Sequence, residues 1–152
     1  MIVIKQKWIK REDLQANPNI IYLFGDNLLR SGLGGQAKEM RGEPNAWGIV
    51  TKKTPDNTEY AFLTDDEYEL NISIINRDLA GLREFIAEKR KKALENKCSI
   101  YYFSTGFTKE WYEVSMVIIP IDGLGTGLAE LPTRAPKTYA YLCEKLEQLK
   151  DF

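Results

Sequence analysis

Two glycine-rich segments each follow a run of apolar residues and precede a stretch with helical spacing. The first comprises residues 24–27 together with residues 32–37, and the second comprises residues 120–128. Backbone N–H groups at the start of a helix point outward without partners, and the helix dipole favours negative charge there. Because glycine has no Cβ, a phosphate can approach such a backbone closely. The two segments therefore predict a site that grips a phosphate-bearing ligand, such as a diphosphate, from both sides.

Several other chemistries are excluded by the residue types. Neither segment is followed by Gly-Lys-Ser/Thr, so neither is a Walker A loop, and the glycines do not follow the first strand as the dinucleotide-binding fingerprint requires. The chain contains no histidine, which excludes a Ser–His or Cys–His triad. Cys98 and Cys143 are not in C-x-x-C spacing, which argues against zinc. We therefore expect neither a cofactor nor a metal.

Composition favours a single domain spanning residues 1–152. The chain is 43% hydrophobic, and its 21 Lys and Arg residues against 22 Asp and Glu residues give a net charge of -1. Such a balance provides no global field that would hold a polyanion. The longest apolar run, residues 117–121, is too short to cross a bilayer, and residues 1–10 lack the pattern of a signal peptide. We expect a cytoplasmic protein without a membrane partner, and the oligomeric state is left open.

Short β-branched runs predict a buried sheet, since several of them are too apolar to have a wet face. They lie at residues 2–4, 20–24, 47–50, 100–103 and 114–121. The aromatic-rich stretch of residues 99–112 is typical of a hairpin.

A long amphipathic helix is expected over residues 72–96, because apolar residues recur there at helical spacing. These are Ile75, Leu79, Leu82 and Ile86, with Asn76, Asp78, Arg83 and Glu84 on the other side. A second helix has its apolar stripe at Ala135, Tyr139, Leu142, Leu146 and Leu149, with Thr133 as N-cap and Pro136 in the first turn. A short third helix covers residues 35–40.

Strands that alternate with helices predict an α/β fold, a three-layer α/β/α sandwich with helices on both faces of the sheet. Both glycine segments then lie at the carboxyl ends of strands, where open α/β sheets bind their ligands. The polar segment of residues 54–71 has no clear period, and we interpret it as a loop that borders the site.

Five segments, in their order along the chain, resemble those of a macrodomain, in particular the branch with the terminal ADP-ribose protein glycohydrolases and the DarG antitoxin macrodomain. They are residues 9–14 (Ile-Lys-Arg-Glu-Asp-Leu), 20–27, 32–37, 49–53 (Ile-Val-Thr-Lys-Lys) and 125–131 (Gly-Thr-Gly-Leu-Ala-Glu-Leu). The resemblance implies a mixed central sheet, and ADP-ribose or an ADP-ribosylated macromolecule (DNA, RNA or protein) as the ligand.

The resemblance also implies roles for individual residues. Asp13 corresponds to the aspartate that holds the adenine amino group, with Glu12 where the family has glycine. Lys52 corresponds to the catalytic lysine. The remaining ligand-binding residues belong to the two glycine segments: Asn27, Gly34, Gly35, Gln36, Gly123, Gly125, Thr126, Gly127 and Leu128.

Ala129 stands where the glycohydrolases that act on protein have a catalytic aspartate. The DarG-like group, which acts on ADP-ribosylated DNA, has glycine at that place and does without the carboxylate. We therefore expect hydrolysis of ADP-ribosyl bonds on a modified macromolecule, with nucleic acid ahead of protein. The resemblance implies an antitoxin or a phage-borne counter-defence, in a bacterium or an infected host cell.

A lysine near the anomeric carbon of a bound ribose can attack that carbon or stabilise charge as the glycosidic bond breaks. Since Ala129 supplies no acid, the proton must pass through Asp26, Glu130, Asp122 or a water held by the ligand's diphosphate. We prefer Asp26, which follows a strand beside the first glycine segment. The expected catalytic residues are thus Lys52 and Asp26.

Two alternatives stay open. One is a non-catalytic reader or sponge of ADP-ribose or a related signalling nucleotide, which the missing carboxylate at Ala129 favours. The other is an α/β interaction domain whose glycine segments are only turns.

Overall fold

The computed structural model describes residues 1–95 and 109–152. The strands of this part are β1 (Ile2–Gln6), β2 (Ile21–Asn27), β3 (Ala46–Lys52) and β4 (Met116–Pro120). The α-helices are α1 (Arg11–Ala16), α2 (Ala37–Met40), α3 (Tyr68–Glu95), α4 (Lys109–Glu113), α5 (Leu131–Arg134) and α6 (Pro136–Glu147). Short 3-10 turns cover Glu59–Ala61, Asp65–Glu67 and Gln148–Asp151. The α/β class predicted from the sequence is confirmed.

The described strands form one sheet in the order β1-β4-β2-β3, and every pairing in it is parallel. The carboxyl ends of all four strands therefore lie at the same edge of the sheet. The antiparallel strand that a mixed sheet requires is not found in residues 1–95 or 109–152, so the mixed sheet stays a prediction.

Alternate residues of β2 face opposite sides of the sheet. Ile21 and Leu23 pack in a cluster with apolar residues of α3 and α6, whereas Tyr22 and Phe24 pack in a second cluster with residues of α1 and α2. Because both faces are covered by helices, the central strand is apolar on both sides. This explains why its sequence shows a continuous apolar run.

The long helix α3 buries the four apolar residues predicted for it, but one expectation about its polar side is wrong. Asp78 does not face solvent, since its side chain is only 5% exposed. Its Oδ2 accepts a hydrogen bond of 2.8 Å from the backbone N–H of Val50. Because β3 lies at the edge of the sheet formed by the described strands, none of these strands accepts a bond from that donor. Asp78 therefore provides a hydrogen-bond acceptor for a backbone N–H at the edge of the sheet.

The C-terminal helix is interrupted, and the predicted N-cap is wrong. Thr133 lies inside the short α5, and the N-cap of α6 is Ala135, with Pro136 in the first turn as expected. The third predicted helix begins at Ala37 rather than at residue 35, because Gly35 has a φ of 57°, outside the helical region.

The predicted strand at residues 100–103 lies outside the described residues, as does most of the predicted hairpin at residues 99–112. The last part of that stretch is α4, so a hairpin is wrong there, and β4 begins at Met116 rather than at residue 114. Residues 54–71 are not one loop, since they contain two 3-10 turns and the start of α3.

Among the helices of the described ranges, none combines the length and the apolar character that crossing a membrane needs.

Candidate functional site

A cavity of about 250 Å³ lies at the carboxyl edge of the sheet. Among the residues that line it are most of those predicted from the sequence: Asp26, Asn27, Gly34, Gly35, Gln36, Lys52, Gly123, Gly125, Thr126, Gly127 and Leu128. Asp13 is predicted but does not line it. The two glycine segments, far apart in the chain, thus form one site.

The cavity is a groove that crosses the ends of all four strands. Trp8 follows β1, Asp122 follows β4, Ser31 follows β2 and Pro55 follows β3, and all of them line it. The strand order places Trp8 at one end, the glycine segments in the middle and Lys52 at the other end. Adjacent strands lie about 4.8 Å apart, so three intervals make the groove roughly 14 Å long.

At the first end of the groove, Trp8 lies between β1 and α1 in the chain and lines the groove. The residue is 54% exposed. The neighbouring Ile9 is tied to Gln36, whose amide accepts from the Ile9 N–H and donates to the Ile9 carbonyl, both at 2.9 Å. Gln36 therefore holds the backbone of Ile9, the residue after Trp8, against the first glycine segment.

Asp13 lies behind this end of the groove. Its Oδ2 accepts hydrogen bonds of 2.9 Å from the Gln6 side chain and from the Lys10 backbone N–H. Gln6 lines the cavity, so Asp13 contacts the groove through Gln6 rather than directly. Its expected direct contact with a ligand stays a prediction.

In the middle of the groove the two glycine segments touch each other. A Cβ placed on Gly25 would lie 3.2 Å from the backbone nitrogen of Gly125, so the floor of the groove requires glycine. Farther out, a Cβ on Gly34 would lie 2.7 Å from Cδ1 of Leu128. The side chain of Leu128 therefore lies against Gly34 of the other segment, although Leu128 is 62% exposed.

At the far end, Lys52 is buried, with 6% of the residue exposed. Its Nζ lies 3.5 Å from Oδ1 of Asn57 and 4.7 Å from the centroid of the Phe62 ring. Within the described residues no carboxylate forms an ion pair with it, whereas the adjacent Lys53 pairs with Glu67 at 2.8 Å. The far end of the groove therefore holds a lysine that no carboxylate of residues 1–95 or 109–152 pairs with.

The Phe62 ring also carries a second cation. The guanidinium of Arg134 lies over it, with Cζ 3.6 Å from the centroid. Hydrogen bonds to Glu130 and Glu59 raise the pKa of Arg134. Arg134 follows the second glycine segment, so this ring links that segment to Lys52.

Asn27 has a buried atom that the folded chain does not satisfy. Its Nδ2 donates to the carbonyl of Ser31 at 2.7 Å. Its Oδ1 is buried and has no hydrogen-bond partner in the described part of the chain. Such an orphaned acceptor is rare in folded proteins, and a ligand hydroxyl near it would remove the cost.

The three carboxylates considered as proton carriers occupy different places. Asp26 lines the groove, but its side chain is 4% exposed and pairs with Arg41 and Arg30. Glu130 is exposed and pairs with Arg134 at 2.8 Å. Asp122 lines the groove at the end of β4, two strands away from the lysine on β3. The catalytic role of Asp26 stays a prediction, and its contacts do not favour it.

Trp8 and Arg41 are among the lining residues that escaped the sequence analysis. Trp8 is an exposed aromatic residue that follows the end of β1 by two positions. Its place just after a strand indicates that it lies at the carboxyl edge of the sheet. Arg41 lines the groove from the end of α2, and nothing in its sequence surroundings indicates that role.

No group of three or more His, Cys, Asp and Glu side chains that could hold a metal ion forms among the residues that the structure describes.

Comparison with known proteins gives one finding. A search of curated proteins and a search of solved structures each found no match. A model of a family of unknown function, DUF7831, matches residues 4–94 and 92–145. The chain therefore belongs to this family of unknown function.

Proposed function

We propose that this protein binds ADP-ribose in the groove and hydrolyses ADP-ribosyl bonds on a modified macromolecule, with nucleic acid ahead of protein as the carrier. In this proposal the fold is macrodomain-like, a sheet made mixed by a further strand, and the protein acts in the cytoplasm of a bacterium or of an infected cell. The setting is the reversal of ADP-ribosylation by a toxin or a defence system.

The observation that carries the proposal is the uncompensated ammonium of Lys52 beside two converging glycine segments. Burying an ammonium group without a countercharge is costly, so folded proteins normally pair it with a carboxylate. A bound anion supplies the missing charge. Backbone N–H groups of the glycine segments supply hydrogen bonds to the diphosphate of the same anionic ligand.

The layout of the groove supports a ligand with a base at one end and a sugar at the other. Trp8 offers a face on which a base can stack. The glycine segments in the middle suit a diphosphate, and the orphaned Oδ1 of Asn27 suits a ribose hydroxyl. A mononucleotide would leave part of a groove of roughly 14 Å empty. ADP-ribose has its groups in this order.

Hydrolysis adds water across the bond between the anomeric carbon and the linked atom. Lys52 lies at the end of the groove where the distal ribose would be bound. Its ammonium stabilises negative charge on the leaving atom, or its amine attacks the anomeric carbon and is later displaced by water. The leaving group takes up a proton, which a water on the ligand's diphosphate supplies in this proposal.

A second candidate is a reader or sponge that binds ADP-ribose, or a related signalling nucleotide, without turnover. Ala129 favours it, because this apolar residue is buried beside the groove, where an acid would assist bond breaking. Both candidates need the same binding groove and differ only in turnover.

Calorimetric titration of the purified protein with ADP-ribose tests the proposal, with AMP and NAD as controls. We expect saturable binding of ADP-ribose that is tighter than binding of AMP. Incubation with ADP-ribosylated DNA and ADP-ribosylated protein then separates the two candidates by release of ADP-ribose. Absence of both heat and thermal shift at millimolar ADP-ribose would overturn both candidates.

A further inference from the structure

An ion pair between Asp26 and the partly buried Arg41 lies next to the first glycine segment. Arg41 contacts both carboxylate oxygens of Asp26, with Nη2 2.5 Å from Oδ1 and Nη1 3.3 Å from Oδ2. The Asp26 side chain is 4% exposed, and the Arg41 side chain is 20% exposed. Such a two-pronged pair fixes the orientation of the guanidinium as well as its position.

The same guanidinium also holds the backbone of the first segment. Its Nε donates to the carbonyl of Gly32 at 2.8 Å, and its Nη2 donates to the carbonyl of Ser31 at 3.3 Å. The Ser31 carbonyl accepts a second bond from Asn27. Arg41 thus links Asp26, at the end of β2, to the loop that carries Gly34 and Gly35.

Asp26 is itself fixed on the sheet. A Cβ on the neighbouring Gly48 would lie 2.6 Å from Oδ2 of Asp26, so the carboxylate fits only against glycine. Arg30 lies 3.5 Å from the same oxygen and pairs with Asp78 of α3 at 2.6 Å. The pair of Asp26 and Arg41 therefore rests on the edge strand and on the long helix, both rigid parts of the fold.

We propose that Asp26 and Arg41 are positioning residues that hold the first glycine segment in the geometry that binds the diphosphate. This inference rests on the proposed function for the ligand, and it assigns Asp26 a role other than proton transfer. The fork of arginine is essential to it, because one planar group satisfies the carboxylate and two carbonyls together. A lysine ammonium has no planar fork and cannot hold all four acceptor atoms at once.

Arg41→Lys tests the inference, with Arg11→Lys as the matched control. Arg11 also binds a carboxylate, that of Glu43 at 2.7 Å, and two backbone carbonyls, those of Lys38 and Arg41, at 3.0 Å each. It does not contact residues 31–35. Both variants keep the charge and remove one fork. Arg11→Lys frees the carbonyls of Lys38 and Arg41, whereas Arg41→Lys frees those of Ser31 and Gly32 in the first glycine segment.

Three readouts are compared in the two variants. In the free protein, Arg41→Lys lowers the backbone NMR order parameters of residues 31–36 to below about 0.6, the range of a flexible segment, and leaves those of α3 and α6 unchanged. In titrations, it weakens ADP-ribose binding by about tenfold, as the loss of charge-assisted hydrogen bonds predicts. At saturating ligand, the ³¹P resonances of the bound diphosphate move in Arg41→Lys and stay in place in Arg11→Lys.

The inference fails if the order parameters of residues 31–36 are unchanged, if those of α3 and α6 fall by the same amount, or if Arg11→Lys weakens binding equally. Failure of the proposed function gives a different result. In that case the wild-type protein does not bind ADP-ribose at all, and the backbone order parameters of the free protein still decide whether Arg41 holds the segment.

Discussion

Lys52 and Phe62 face each other across an isolated antiparallel bridge, with the ammonium 4.7 Å from the centre of the ring. The ring is buried, and the guanidinium of Arg134 also lies over it. Attraction between a cation and an aromatic face fixes the lysine without neutralising it. Lys52 is thereby held in place while its charge remains available to a ligand.

Replacing Lys52 by methionine should abolish turnover while preserving the fold. We expect hydrolysis of ADP-ribosylated substrates to fall by about 10²-fold or more, the usual cost of removing a group that acts on the reacting atoms. Thermal stability should stay equal or rise, because the variant no longer buries an unpaired ammonium. The measurements are release of ADP-ribose and a thermal melt. Unchanged hydrolysis in Lys52→Met would remove the lysine from the mechanism.

The control for this experiment is Lys53→Met. Lys53 directly follows the last residue of β3, pairs with Glu67 and does not line the groove. We expect turnover close to that of the wild-type protein. An equal loss of hydrolysis in both lysine variants would mean that the effect comes from the strand and not from the groove.

Trp8→Ala should weaken binding of ADP-ribose by roughly tenfold, because a base stacked on an aromatic side chain contributes about 1–3 kcal/mol. Trp8→Phe should retain most of the affinity, since phenylalanine keeps an aromatic face. Calorimetry measures both. The control is Tyr60→Ala, which removes an aromatic residue that is 88% exposed and does not line the groove. Equal affinities of Trp8→Ala and the wild-type protein would show that the base does not bind at this end.

The sequence predicted the groove better than it predicted how the groove is held together. Apolar runs and glycine segments are local signals, and parallel strands bring their ends to one edge, so the glycines and Lys52 were found. The arginines around Asp26 were missed, because whether a carboxylate is a proton carrier or a pairing partner depends on residues brought near by folding. Asp78 was placed on the solvent side for a similar reason, since helical spacing does not show that an edge strand offers a free N–H.

Gly127→Val should block the ligand without harming the fold. A Cβ at Gly127 meets no atom within 4 Å, although the residue lines the groove. We expect a stability change within about 0.5 kcal/mol, as for other uncrowded substitutions, and an affinity for ADP-ribose at least about tenfold lower. Gly125 is a poorer choice, because its φ is +78° and a Cβ would lie 3.0 Å from Cβ of Thr51. Gly127→Ala gives a graded comparison, and full affinity in both variants would place the ligand elsewhere.

The start of α6 should lose stability in Asp65→Ala in a way that depends on pH. Asp65 accepts hydrogen bonds from the backbone N–H groups of Lys137 and Thr138 at 2.9 and 3.0 Å. Burial raises the pKa of Asp65, but these bonds outweigh it and hold the pKa below its ordinary value of 3.8. Stabilisation by Asp65 is therefore complete above the pKa of the unfolded chain and disappears as pH falls through the lower pKa of the folded protein.

At neutral pH, Asp65→Ala should lower the free energy of unfolding by about 1 kcal/mol, the usual cost of losing a helix cap, and the melting temperature by about 2–4 °C. The loss should shrink well below pH 4, where Asp65 is protonated in the wild-type protein too. Urea titrations at both pH values measure it. Asp66→Ala is the matched control, because this neighbouring side chain is exposed and we expect little change at either pH. If Asp65→Ala lost the same stability at both pH values, the charge of the carboxylate would not be what caps α6.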